Sequence, residues 1–331
     1  MSTETVQKTI ITVSSDLALP DRLDHFLARI GYKRGDHRVN PGLYAIGKPT
    51  PDSPVFVTAN YRLSFDALRS NLVGVDCYIL VLNTFGINVW CAAGKGTFGT
   101  DELVNRIKVT GLENVVSHRK VILPQLGAAG VSAFTVKKEC GWQVEYGPVK
   151  AADLKEYLQT HKASAEMRTV RFGIWDRIVL IPMEVKFVLL WTAVAAVILY
   201  LAMGLAAAIA AVAAVFAGTV LFPVLLPYIP VKDFSAKGLI LGLIVALPFA
   251  YDMLVSSGPA WPNALAALGY VLAMPPVTAY LALNFTGSST FTSRTGVRKE
   301  IYRYIPPMAV LFIAGILIFA GLFVARLLKV I

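Results

Sequence analysis

The stretch "DCYILVLNTFGINVWCAAGK", Asp76–Lys95, decides how this chain is read. Its first part, "DCYILVLN", is a continuous apolar run bounded by polar residues, the pattern of a buried strand. A polar, glycine-containing turn follows. Asn88 then stands where a helix cap belongs, ahead of the small residues Ala92, Ala93 and Gly94.

Outward from this stretch the pattern repeats. "PVFVTAN" (Pro54–Asn60) reads as a buried strand, "LSFDALRSNL" as a helix, and "VVSHRKVILP" (Val115–Pro124) as a third strand. "TDELVNRIKVTG" reads as a helix capped at Thr100 and stopped by Gly111. "AFTVKK" and "WQVEYG" read as short strands, and "AADLKEYLQTHKA" as a helix. Strands alternating with helices predict an α/β, Rossmann-like domain with a mainly parallel sheet. Ligands of such sheets bind at the carboxyl ends of strands. Here those ends are "TANY", "NTFGINVWCAAGK" and "LPQLGAAG", which makes Thr58, Asn60, Pro124, Gln125 and Gly127 candidate site residues beside Asn88–Lys95.

The chain has 331 residues, 56% of them hydrophobic, above the roughly 45–50% of soluble domains. The excess lies beyond about Lys186. Five apolar segments long enough to approach or exceed a membrane span follow: roughly Phe187–Ala202, Leu205–Ile229, Leu239–Val255, Ala260–Leu283 and Ile305–Ala325. A tight hairpin near Met203–Gly204 divides the first two. The expected organisation is a lead-in over 1–50, an α/β domain over 51–165, a basic juxtamembrane linker over 166–186 and an all-α bundle of five transmembrane helices over 187–331.

Lys and Arg fall before the first span, between the second and third, and between the fourth and fifth. The other two connections carry none. This asymmetry predicts a cytoplasmic N-terminal domain and a carboxyl terminus outside a cell (inner) membrane. No secretory signal pattern opens the chain. Three cysteines without a CxxC pair suit a reducing compartment. The net charge of +10 is explained by the juxtamembrane residues, so nucleic acid is not expected as a partner. Asp252 is the one ionisable residue expected within a span, read as a solvated interfacial acid. The bundle therefore reads as an anchor or docking platform rather than a transporter.

"GKGTFG" (Gly94–Gly99) matches GxGxxG, but Gly94 lies about ten residues past the strand instead of in the turn that leaves it, which argues against a dinucleotide. A transporter with a nucleotide-binding regulatory domain remains the alternative this motif supports. The four histidines show no metal-ligand spacing. Cys77 reads as a small core hydrophobe, and Cys140, beside Gly141 in an expected hairpin, as incidental. Cys91 is different. At the third position of a helix capped by Asn88, with Lys95 one turn on, a thiol is favoured as thiolate. The small residues beside it would let a planar partner approach. The residues alone leave peroxidatic, acyl-transfer and metal-binding roles open.

"NVWCAAGK" (Asn88–Lys95) resembles, at all eight positions, the cap-helix signature of the corrinoid protein family of microbial mercury methylation (HgcA family). The flanks "GYKRGDHRVNPGLYAIGKPTPDSPVFVTANYRLSFDALR" and "LPQLGAAGVSAF" are similar too, as is the order of a corrinoid domain followed by five membrane helices. The resemblance implies a cobalamin-type corrinoid bound base-off, with the Cys91 thiolate as lower axial cobalt ligand. It assigns cofactor contacts to Asn88, Val89, Trp90, Ala92, Ala93, Gly94 and Lys95, though Lys95 reads equally as a solvated charge. A DxHxxG segment, which would supply histidine to cobalt, is absent. The implied activity is a methyltransferase that passes a methyl group, as a carbanion equivalent or less favourably a radical, from methyl-cobalt(III) to Hg(II). The implied partners are a ferredoxin-like iron–sulfur protein (HgcB-like), as reductant and mercury donor, and a methylated folate as methyl source. Methyl transfer to another acceptor is the alternative within the same chemistry.

Overall fold

The computed structural model describes residues 10–329 and divides into two compact units, Met1–Val170 and Arg171–Ile331. The first is a six-stranded mixed α/β sheet domain. The second is helical and contains five helices long and apolar enough to cross a membrane.

In the first unit the order along the chain is β1 (Ile11–Thr12), α1 (Leu19–Arg29), β2 (Gly42–Ile46), β3 (Val55–Ala59), α2 (Arg62–Ser70), β4 (Cys77–Leu82), α3 (Val89–Lys95), α4 (Thr100–Thr110), β5 (Lys120–Leu123), α5 (Ala133–Cys140), β6 (Gln143–Tyr146) and α6 (Leu154–Thr160). The strands lie in the order β1-β2-β4-β3-β5-β6, with β2 antiparallel to β4 and the other pairs parallel. Every residue of β3 and β4 is buried, which explains their unbroken apolar runs.

Side chains leave a strand on alternate faces, so one sheet supports two cores. Val55, Val57 and Ala59 join Leu80 and Leu82 in a core covered by α3, α4 and α5. Phe56, Ile79 and Val81 join Phe65 and Leu68 of α2 and Leu154 and Tyr157 of α6 on the opposite face. The chain therefore leaves β3 towards one face and β5 towards the other. That divergence opens a crevice between the carboxyl ends of β3 and β5, the topological switch point where open α/β sheets take ligands.

Three local expectations are corrected. "AFTVKK" is not a strand but the start of α5: Ser132 Oγ accepts the Thr135 amide, and Gly141, at φ 76°, ends the helix. Cys140 accordingly sits at a helix end rather than in a hairpin. Gly99, not Thr100, is the cap residue of α4. The expected lead-in also contributes β1 and β2 to the sheet. A four-residue acid–base network joins α1 to α2 there: Arg69 donates to Asp66 at 2.6 Å and to Asp21 at 2.8 Å, and His25 lies 2.8 Å from Asp66.

The second unit comprises α7 (Ile174–Ile178), α8 (Ile181–Met203), α9 (Leu205–Phe216), a π turn over Ala217–Leu221, α10 (Phe222–Leu225), α11 (Phe234–Val255), α12 (Ala260–Asn284) and α13 (Arg294–Leu327). Gly204, at φ 90°, makes the expected break between α8 and α9. Gly238 and Gly242 let α11 lie against α12: a Cβ on Gly242 would stand 2.6 Å from Pro275 Cα. Such small-residue contacts replace the hydrophobic drive that lipid does not supply.

The helices run further than the apolar runs, so ionisable residues beyond Asp252 fall within them. Lys237 and Glu300 are buried, and Asp252 itself is exposed. Lys237 Nζ donates to the Leu226 and Ile229 carbonyls, each at 2.7 Å, and Arg177 Nη1 donates to those of Pro223 and Val224. These cations bind carbonyls in and just after α10, where the helix ends. Glu300 accepts the amide and hydroxyl of Ser235. In each case the charge closes backbone or hydroxyl groups.

Candidate functional site

The loop Asn83–Asn88 carries the chain from β4 to α3, and Asn60 organises it. Asn60 is buried at the end of β3. Its Oδ1 accepts from the Thr84 amide (3.0 Å), the Thr84 hydroxyl (2.9 Å) and the Gly86 amide (2.9 Å). The Thr84 hydroxyl lies 2.7 Å from the Ile87 carbonyl as well. Phe85 takes the left-handed conformation at φ 57°, unusual for an aromatic residue, and leaves its ring largely exposed. Asn60 is thus a loop-holding residue, its acceptor fully used within the protein.

The helix α3 begins with Asn88 as cap. Its Oδ1 accepts the Cys91 amide at 2.9 Å, which fixes Cys91 at the third helical position. Cys91 is partly exposed, as is Trp90, while Val89, Ala92 and Ala93 are buried in the core. The two alanines therefore face inward, and their small size serves close packing. A Cβ on Gly130 would stand 2.9 Å from Ala93 Cα, and one on Gly127 would stand 2.6 Å from the Phe98 ring. Gly94 and Gly96 instead offer open space, with no neighbouring heavy atom within 4 Å of the position a Cβ would take. Lys95 is exposed at the last turn. Gly96, at φ 83°, stops the helix, and Gly99 is packed under Gly96 and Gly130. The glycines of "GKGTFG" thus end one helix and seat the next.

A cavity of about 250 Å³ opens at the switch point. Thr58 at the end of β3 and Leu123 and Pro124 at the end of β5 line it, together with Asn88, Val89 and Trp90 of the cap helix. Phe56, Leu68, Ile122, Leu126, Pro148 and Leu154 make most of the remaining wall apolar. The geometry brings together Thr58, Pro124 and Asn88–Trp90, with Cys91 one residue further along α3. Gln125 and Gly127 belong to the short helical turn over Gln125–Gly127, whose neighbours Pro124 and Leu126 line the wall while they themselves do not. Gln125 accepts from Arg168 Nη1 at 2.6 Å, and Gly127 is buried. Sequence reasoning missed Ser64, Val149 and Leu154 in the wall, because they lie in segments distant along the chain and carry no motif.

The three cysteines are chemically distinct. Cys77 is fully buried in β4, and burial, with Asp76 adding to it, pushes its thiol up to about 12. Cys140 Sγ lies 3.2 Å from the Val136 carbonyl. Cys91 alone stands at the mouth of the sheet. Among the described residues no group of three or more His, Cys, Asp or Glu side chains is placed to hold a metal ion.

Residues 33–158 match the family model of the CO dehydrogenase/acetyl-CoA synthase delta subunit, CdhD. The CdhD match covers the sheet from just before β2 to α6 and includes every residue of the candidate site. The chain is similar to the acetyl-CoA decarbonylase/synthase complex subunit gamma of Archaeoglobus fulgidus, 36% identical over 124 residues, 37% of this chain and 26% of that protein. It is 34% identical over 128 residues to the same subunit of Methanopyrus kandleri, covering 38% of this chain and 27% of that one. Against the corrinoid/iron-sulfur protein large subunit of Moorella thermoacetica it is 26% identical over 153 residues, 44% of this chain and 34% of that protein. The chain thus spans about a quarter to a third of the length of these relatives. The likeness lies in the α/β domain.

Proposed function

We propose that this protein is a membrane-anchored, corrinoid-dependent methyltransferase whose methyl acceptor is Hg(II), with Cys91 as the lower axial ligand of cobalt. The observation that carries this reading is Cys91 itself. It is a partly exposed thiol on a capped helix beside the switch-point cavity of a CdhD-type domain. The likeness to a corrinoid/iron-sulfur protein supports the cofactor class.

The residues present fit a corrinoid. The cavity is smaller than the roughly 300–1,000 Å³ of ordinary ligand pockets, so a macrocycle would lie outside it, and the adjoining cap helix is the surface that would hold it. There Trp90, Cys91, Gly94 and Lys95 are at least partly exposed, and Gly94 leaves room for a flat ligand. The apolar cavity suits the displaced nucleotide base of a base-off corrinoid. When bound, the corrinoid supplies a cobalt that carries and releases the methyl group.

The chain's own residues do the positioning. Asn88 holds the Cys91 amide, Asn60 holds the loop that feeds α3, and Ala92 and Ala93 fix the helix to the core. A thiolate at Cys91 would be a strong electron donor to a bound metal, as thiolate is in haem proteins, which would suit methyl delivery to an electrophile such as Hg(II). Among the described residues there is no cysteine cluster for an iron–sulfur centre. Reduction therefore falls to a ferredoxin-like partner, which would also deliver mercury, with methylated folate as the methyl source. The five apolar helices support anchoring in the inner membrane, with the sheet domain cytoplasmic and the carboxyl terminus outside.

Deletion of a sole gene copy should abolish methylmercury production, and Cys91→Ala should fail to restore it. Undiminished production by the deletion strain would sink the mercury assignment. A second reading, methyl transfer to another acceptor, is favoured by the relatives' membership of acetyl-CoA decarbonylase/synthase complexes. Corrinoid binding together with undiminished methylmercury in the deletion strain would select it.

A further inference from the structure

We infer that Arg168, held by Gln125 on the wall of the switch-point cavity, recognises the phosphodiester of the corrinoid's nucleotide loop, with Lys150 as a second cation. This rests on the corrinoid reading above and adds residues that determine which corrinoids are accepted.

The cavity lining contains no charged side chain. Its polar side chains are Thr58, Ser64 and Asn88, and Asn88 Oδ1 is already engaged by the Cys91 amide. An ionised group of a ligand therefore finds no counter-charge inside, and burying it there unpaired would be costly. It must lie outside the cavity, and two cations are carried by segments that adjoin its lining. Gln125 falls between the lining residues Pro124 and Leu126, and its amide donates to the carbonyl of a third, Pro148, at 3.3 Å. Its side-chain oxygen accepts from Arg168 at 2.6 Å. The turn that carries Arg168 is tied to the same wall, because the Val149 amide donates to the Met167 carbonyl at 2.8 Å.

Arg168 is exposed and uses one of its five N–H donors on Gln125. Lys150 is exposed between the lining residues Val149 and Ala151. Among the described residues no acidic side chain forms an ion pair with either cation, whereas Arg62, Arg69, Arg106 and Lys120 all have acidic partners. An apolar cavity with cations on the adjoining segments that no acidic side chain pairs fits a ligand with an uncharged ring joined to an anion. In a complete corrinoid that description belongs to the nucleotide base and its phosphodiester. The planar guanidinium suits two phosphate oxygens, and Gln125 orients it beforehand.

The test compares cobalamin with cobinamide, which lacks the nucleotide loop and its phosphodiester, on the full chain in detergent, by visible absorption titration. Arg168→Ala should weaken cobalamin binding about tenfold, the worth of one charge-assisted hydrogen bond. Cobinamide affinity should stay within about twofold, well below that effect. Lys150→Ala should shift cobalamin in the same direction by less. Unchanged cobalamin affinity, or equal loss for both ligands in a variant with the wild-type melting temperature, overturns the inference. If Arg168→Ala melts early, Arg168→Lys decides by the same difference, because it keeps the charge but loses the fork. Failure of the wild-type chain to bind either corrinoid would instead remove the cofactor reading on which the inference stands.

Discussion

The side-chain oxygen of Asn88 accepts the backbone amide of Cys91 at 2.9 Å, so the cap and the thiol are two parts of one turn. Asn88 also lines the cavity at the switch point. One side chain thereby sets both the start of the cap helix and the position of its thiol.

Removing that cap should cost about 1 kcal/mol of stability. Asn88→Ala is expected to lower the melting temperature slightly and to weaken corrinoid binding, while Asn88→Asp, which can still accept the amide, should retain more of both. Thermal unfolding and absorption titration of the two variants provide the check. Equal behaviour of the Ala and Asp variants would show that the cap does not position the thiol.

Gly130 lies behind α3, where an added methyl would press on Ala93 Cα at 2.9 Å and on neighbouring backbone. Overpacking at such a site costs about 1–3 kcal/mol. Gly130→Ala should therefore displace the cap helix and reduce corrinoid affinity without touching a ligand-facing side chain. Wild-type affinity in this variant would mean that the helix can shift without consequence.

Thiol labelling should separate the cysteines. Cys77, pushed up to about 12 inside β4, carries almost no thiolate between about pH 7 and 9 and has no access to reagent. It should label only when the protein unfolds, whereas the partly exposed Cys91 should label in the folded state. Mass spectrometry of alkylated peptides reads both. Rapid native labelling of Cys77 would contradict the buried strand.

These predictions draw on features of unequal visibility in the sequence. Strands β3 and β4 were legible because burial on both faces demands unbroken apolar runs, and the cap at Asn88 because capping needs particular residue types. Helix α5 was not: Phe134, Thr135 and Val136 favour strands locally, and the Ser132 cap with the Gly141 stop outweighs them. The inward direction of Ala92 and Ala93 was equally hidden, since a small residue serves packing and ligand approach alike. Strand order, and with it the crevice between β3 and β5, depends on long-range pairing that local pattern does not encode. Lys237 and Glu300 read as connection residues in the sequence because each apolar run begins after its helix does.

The α1–α2 network gives a pH dependence. Burial alone would raise the Asp21 carboxyl, but the Arg69 hydrogen bond at 2.8 Å, with the Ala18 amide, holds it below its ordinary range. A depressed carboxyl contributes stability above its unfolded value, about 3.9, and loses it as pH falls through the lower folded value. Asp21→Asn should therefore be less stable than wild type near neutrality, and the gap should narrow in acid. A gap that stays constant from about pH 6 to below pH 3 would show that Asp21 ionisation contributes nothing.

The central claim is that Cys91 ligates cobalt from below, and the most direct measurement is the visible absorption spectrum of the full chain loaded with corrinoid, compared between wild type and Cys91→Ala. The account predicts that the variant still takes up corrinoid through the cavity but with its absorption bands shifted, because the sulfur donor is gone. Superimposable spectra at equal corrinoid occupancy would contradict it.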